Sequence, residues 1–156
     1  MPEIIIATTD TEYEAAAKLF KEYADWLNID LCFQNFEKEL VSLQQMYAQP
    51  YGGIVLYKNE NYFIGCVGIR KLHHEICELK RMYVRPAFHK KGIGKVLLKK
   101  AIALAKKLNY TSIRLDTLNH MQPAISLYKQ FGFKEITPYY RNPNNTALFF
   151  EYFIPM

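Results

Sequence analysis

Arg85-Pro86-Ala87-Phe88-His89-Lys90-Lys91-Gly92-Ile93-Gly94-Lys95 is the stretch on which the reading turns. It lies between a run that reads as a strand, Ile76 to Val84, and one that reads as a helix, Gly92 to Leu108. In the helix, Leu97, Ala101, Leu104, Ala105 and Leu108 recur at helical spacing, with Lys95, Lys99, Lys100, Lys106 and Lys107 around them. The first N–H groups of a helix have no partner inside it and point outward at the positive end of its dipole. Glycines there let the backbone come close to an anion, so a strand, a glycine turn and a helix predict a phosphate site.

Two familiar phosphate loops do not fit. An ATP-type loop needs an earlier glycine, near Phe88, and Ser or Thr after the lysine, where Val96 stands. A dinucleotide fingerprint needs a third glycine at Leu97 and a parallel opening unit. Here the turn follows what reads as an antiparallel meander. Ile54 to Tyr57, Tyr62 to Lys71 and Ile76 to Val84 are strands separated by polar turns at Lys58 to Asn61 and His73 to Glu75.

Upstream, Glu3 to Thr8 reads as a first strand. Thr9 and Glu12 have capping-box spacing for a helix running to about Leu27, with Ala16, Leu19, Phe20, Tyr23 and Leu27 on its apolar face. A second helix is predicted over Phe36 to Tyr47, after an apolar loop from Asn28 to Asn35. Downstream come a strand over Thr111 to Leu115, a helix from Pro123 to Phe131 stopped by Gly132, and strands over Phe133 to Ile136 and Ala147 to Phe153. This mixed order predicts an α/β fold with one central sheet, and the 156 residues suit a single domain over residues 1–156.

Composition sets outer bounds. Half of the residues are hydrophobic and the formal net charge is +5, with Lys90, Lys91, Lys95, Lys99 and Lys100 clustered at the turn. Such a cluster suits a phosphorylated small molecule or a nucleic acid. Basic and aromatic residues are not interleaved in the way single strands prefer, so no nucleic-acid partner is expected. The three cysteines form no Cys-x-x-Cys pair, and neither a disulfide framework nor a metal site is expected. With no signal-peptide pattern and no membrane-length apolar run, the expectation is a cytoplasmic protein with no membrane partner.

Together, Glu78-Leu79-Lys80-Arg81-Met82-Tyr83-Val84-Arg85-Pro86, the Gly92-Ile93-Gly94 turn and Leu127-Tyr128-Lys129-Gln130-Phe131-Gly132-Phe133 resemble the hallmarks of the GNAT superfamily of N-acetyltransferases, in a small bacterial-type form. The resemblance follows the order of elements along nearly the whole chain. It departs at His89, where Gln or Arg is usual, and at Met121, where many members carry Asn. It implies a mixed, mostly antiparallel sheet of about seven strands flanked by about four helices.

The same resemblance implies acetyl-CoA as co-substrate, no metal, and direct transfer of acetyl to a primary amine. The pyrophosphate would rest on His89, Lys90, Lys91, Gly92, Ile93, Gly94 and Lys95, and the pantetheine arm along Met82, Tyr83 and Val84. Tyr128 aligns with the tyrosine that protonates the leaving sulfur. Glu78 is the candidate base, set against its reading as a solvent-facing or ion-paired strand glutamate beside Lys80. Acceptor contacts are expected from Trp26 and Phe33, with Tyr23, Asp30 and Gln34 nearby, and from Tyr140 and Arg141 beside Tyr139. An arginine there suits a substrate carboxylate. A small-molecule amine is expected because the loop Thr137 to Thr146 would close the groove. A peptide acceptor and a non-catalytic acyl-CoA-binding module remain the alternatives. Dimers are common among similar proteins, and the last strands would serve a homodimer.

Overall fold

The computed structural model describes residues 2–28 and 35–156. β1 (Pro2–Ile6), β2 (Gly53–Asn59), β3 (Tyr62–His73) and β4 (Ile76–Val84) form the antiparallel arm of one sheet. β5 (Ser112–Leu118), β7 (Ala147–Phe153) and β6 (Lys134–Ile136) form the other arm, in that spatial order. Every neighbouring pair is antiparallel except β4 and β5, which run parallel. This is the mixed, mostly antiparallel seven-stranded sheet that the sequence predicts.

Side chains alternate across the sheet, as the two-residue period of a strand requires. Ile54, Leu56, Cys66 and Tyr83 meet α1 (Asp10–Leu27), α2 (Phe36–Val41) and α3 (Leu43–Met46) on one face. Val55, Val67, Leu79 and Ile113 meet α4 (Ile93–Lys107) and α5 (Gln122–Gln130) on the other. Among the described residues the α-helices number five, because the predicted second helix breaks at Ser42 into α2 and α3.

The capping box of α1 forms as read. Thr9 Oγ1 accepts from the Glu12 N–H at 3.2 Å, and Glu12 Oε1 accepts from the Thr9 N–H at 3.1 Å. Such a cap contributes about 1 kcal/mol. Arg85 holds both oxygens of Glu22 at 2.9 and 2.8 Å, tying the end of β4 to α1. Among the described residues, no helix is long and apolar enough to cross a membrane.

Candidate active site

The glycine turn delivers the uncapped helix start that its sequence predicts. Gly92 is the N-cap of α4 at φ +79°, and no side chain caps the helix. The amides of Ile93, Gly94 and Lys95 precede the first helical bond, Val96 N–H to Gly92 O at 3.2 Å. Lys90 also has positive φ, +64°, so the chain doubles back just before the helix. His89 closes the turn itself. Its Nε2 lies 2.7 Å from the Val84 carbonyl, which can only accept, so this nitrogen carries the proton.

Gly94 has no internal need to be glycine. A Cβ there would meet only Leu127 Cδ2, at an ordinary 3.6 Å, yet Gly94 lines the cavity beside the turn. Its bareness leaves room for something outside the protein.

That cavity encloses about 580 Å³. Met82, Tyr83 and Val84 of β4 form one wall, and Phe88, His89, Lys90, Gly92, Ile93 and Gly94 form its floor. The opposite wall comes from the start of α5 and the turn before it, including Met121, Pro123 and Leu127. Trp26, 43% exposed, overhangs the mouth with its ring 5.9 Å from His89 and 6.0 Å from Tyr83. The predicted cofactor residues are thus brought together except for Lys91 and Lys95, which are exposed and stand outside the lining. Trp26, expected as an acceptor contact, lies at this cavity. A long, partly apolar chain ending in phosphates fits such a site: apolar walls, free amides at one end, lysines around the rim.

β4 and β5 pair only through Ile76 with Ser112, Cys77 with Ile113 and Glu78 with Arg114. Beyond that the strands splay, and the edge of Leu79 to Val84 has no β5 neighbour. On its other edge β4 is irregular. Tyr83 faces Cys66 and Lys80 faces Gly68, so Arg81 and Met82 together oppose the single residue Val67. Arg81 sits at φ +60° in this bulge.

The candidate acid and base fare differently. Tyr128 is 5% exposed, one residue beyond the lining, with its ring against Phe133 and Phe150. Burial raises its phenol well above the usual tyrosine value, and Tyr23 and Asp116 act in the same direction. The proton therefore stays on.

Glu78, the candidate base, is held by the protein. At 2% exposure it is not in the cavity lining and is already engaged. Oε1 accepts from Arg70 at 3.3 and 3.2 Å, Oε2 accepts from Tyr139 at 2.6 Å, and Lys80 lies 3.9 Å from Oε1. The ion-paired reading is the one the structure shows. Burial lowers Lys80 to about 8, with Arg81 adding to the fall and Glu78 and Asp116 opposing it.

Asp116, on the splayed part of β5, was missed. Its Oδ2 accepts from Tyr140 at 2.5 Å and from Asn142 Nδ2 at 3.1 Å. A lone strand aspartate carries no motif, and its partners are 24 and 26 residues away. Tyr140 is therefore held by the protein, and Arg141 is exposed. Phe33, Asp30 and Gln34 lie outside the described residues. Among the described residues no cluster of His, Cys, Asp or Glu is arranged to hold a metal ion.

Residues 5–133 match the model of the acetyltransferase (GNAT) family. The chain belongs to the GNAT family. An uncharacterized N-acetyltransferase of Schizosaccharomyces pombe is 40% identical over 127 residues, covering 80% of this chain and 78% of that protein. Among solved structures, a GNAT acetyltransferase of Staphylococcus aureus Mu50 superposes with TM-score 0.82 at 23% identity, covering 99% of this chain and 100% of that one. The YncA structure from Salmonella typhimurium, a putative acetyltransferase with acetyl-CoA, superposes with TM-score 0.74 at 15% identity, covering 100% and 95%. Both superpositions extend over nearly the whole chain, so these structures share its fold.

Proposed function

We propose that this protein transfers an acetyl group from acetyl-CoA to the primary amine of a small molecule, as a single domain over the described chain, in the cytoplasm. The observation that carries this reading is the cavity itself: free amides at the start of α4, an open edge of β4 beside them, and a bare Gly94 between.

Acetyl-CoA would supply an activated thioester. Gly92, Ile93 and Gly94 would hold its pyrophosphate through backbone N–H groups, with Lys90 adding charge. Met82 to Val84 would receive the pantetheine arm along the open strand edge. The Met82 amide, in the bulge, would donate to the thioester oxygen. As the amine nitrogen bonds to the acetyl carbon and the carbon–sulfur bond breaks, Tyr128 O–H would give its proton to the sulfur. The amine's own proton would leave to water, since Glu78 is engaged elsewhere. Asp116, on β5 beyond the residues paired with β4, would orient the amine.

The closed last loop supports a small acceptor. Tyr139 and Tyr140 are bonded to Glu78 and Asp116, and Asn144 accepts from the Thr146 N–H at 2.9 Å. A peptide groove would need this loop to stand away.

The test is a thermal shift with acetyl-CoA, CoA, ATP and NAD, followed by thiol release with a panel of amines. At a hundredfold excess over Kd the expected stabilisation is about 2.7 kcal/mol. A shift with the CoA pair but not with ATP or NAD supports the reading, and no shift with acetyl-CoA overturns it.

A further inference from the structure

We infer that Glu39 and Arg81 are positioning residues: their buried pair holds the β4 bulge in the shape that presents the Met82 amide to the cavity. The inference rests on the proposed acetyl-CoA site and assigns its geometry to a contact on the opposite face of the sheet.

The bulge needs an anchor. Arg81 is a non-glycine residue at φ +60°, a conformation that L-residues avoid because Cβ crowds the backbone. Strained backbone of this kind persists only where its surroundings over-determine it. Here they do. Glu39, fully buried on α2, accepts from Arg81 Nη2 at 2.9 Å and Nε at 3.1 Å. Tyr47 O–H donates to the same carboxylate at 3.1 Å. The Phe36 ring lies 5.2 Å from the guanidinium carbon. The Cys66 thiol donates to the Arg81 carbonyl at 3.3 Å.

The cluster is built into the sheet as well. A Cβ on Gly68 would come within 2.6 Å of the Tyr47 ring, so a bare residue opposite Lys80 is what admits Tyr47 to Glu39. The side chain and carbonyl of Arg81 are thereby fixed, next in sequence to the cavity wall of Met82 to Val84. A buried charge pair does little for net stability compared with apolar packing. Its bidentate fork does fix orientation, which a bulge beside a reacting group requires.

Two variants separate positioning from charge or stability. In an E39Q background, which leaves no stranded carboxylate, R81A and R81G both remove the guanidinium. Only glycine adopts the left-handed conformation without an anchor. The probe is acetyl-CoA labelled with carbon-13 at its carbonyl, read by NMR on the protein. Wild type is expected to displace the carbonyl resonance downfield from its free position, as a hydrogen bond to the oxygen does. E39Q/R81A should lose the displacement and E39Q/R81G should keep it. CoA should still bind to both variants, because the α4 amides that would hold its pyrophosphate are untouched. R81K alone, which keeps the charge but not the fork, should fold and reduce the displacement. Equal displacement in R81A and R81G, or an unchanged one in R81K, overturns the inference. Failure of wild type to bind acetyl-CoA would instead overturn the function proposed above.

Discussion

Tyr139 O–H donates to Glu78 Oε2 at 2.6 Å, joining the closing loop of the chain to the strand behind the cavity. With Arg70 on the other oxygen, Glu78 has its accepting positions filled by the protein. E78Q should therefore leave the acid limb of the pH–rate profile where it is. Its effect should be on stability, a loss of about 1–3 kcal/mol from weakened bonds to Arg70 and Tyr139. A urea titration beside the pH–rate profile checks both parts.

Gly92 and Gly94 should separate folding from binding. G92A forces a side chain to φ +79° and should cost about 1 kcal/mol, with a matching loss of Tm. G94A meets only Leu127 at van der Waals distance and, within a helix, should be neutral or stabilising by up to about 1 kcal/mol. Its methyl group enters the cavity, so calorimetry with CoA should show Kd weakened by about tenfold or more, roughly 1.4 kcal/mol.

Y128F should lower kcat by about a hundredfold while leaving Kd for CoA unchanged, the mark of a proton donor that does not bind the substrate. Because burial raises this phenol, Tyr128 should contribute no alkaline limb below pH 10 in the wild-type profile. Single-turnover thiol release across pH, with any amine that reacts, measures both.

D116N should raise KM for the amine by about tenfold and leave Kd for CoA alone, since Asp116 is not among the residues that line the cavity. An equal loss of CoA affinity would place Asp116 with the cofactor instead.

Lys80 should add stability as pH rises from 8 to 10, against Cys66 and Cys77, whose buried thiols keep their protons while the unfolded chain loses its own. Lys80 is lowered to about 8 in the fold against 10.5 when unfolded, so in this window the unfolded chain binds the extra proton. Raising pH removes that proton from the competing state and favours the fold. Above pH 10 Tyr23 and Tyr110, raised to about 12, likewise keep their protons in the fold while the unfolded chain loses its own. The Tm difference between wild type and K80M, measured from pH 7 to 10, should shift in favour of wild type as pH rises.

Local signals in the sequence were read well. The capping box at Thr9, the stripe of α4 and the glycine turn depend on neighbours a few residues apart, and each stands where it was expected. The break at Ser42 was invisible, because Phe36, Leu40, Leu43 and Tyr47 keep helical spacing across it. Across the break Tyr47 reaches back to Glu39, whose other partner Arg81 is 42 residues further on. The same distance hid Asp116 and the engagement of Glu78, whose partner Tyr139 is 61 residues away. A charged residue's role depends on what lies opposite it, and a strand pattern does not carry that.

The three residue pairs that join β4 to β5 make the sheet two panels on a narrow hinge. Each panel has its own antiparallel ladder, so partial opening of one does not require melting of the other. Amide hydrogens of β5 and β7 should then exchange through an opening independent of β2 and β3. A molecule seated in the cavity touches β4 on one side and α5 on the other, and would bolt the panels together. Slowed exchange on both sides of the hinge would be the sign that occupancy turns two cooperative units into one.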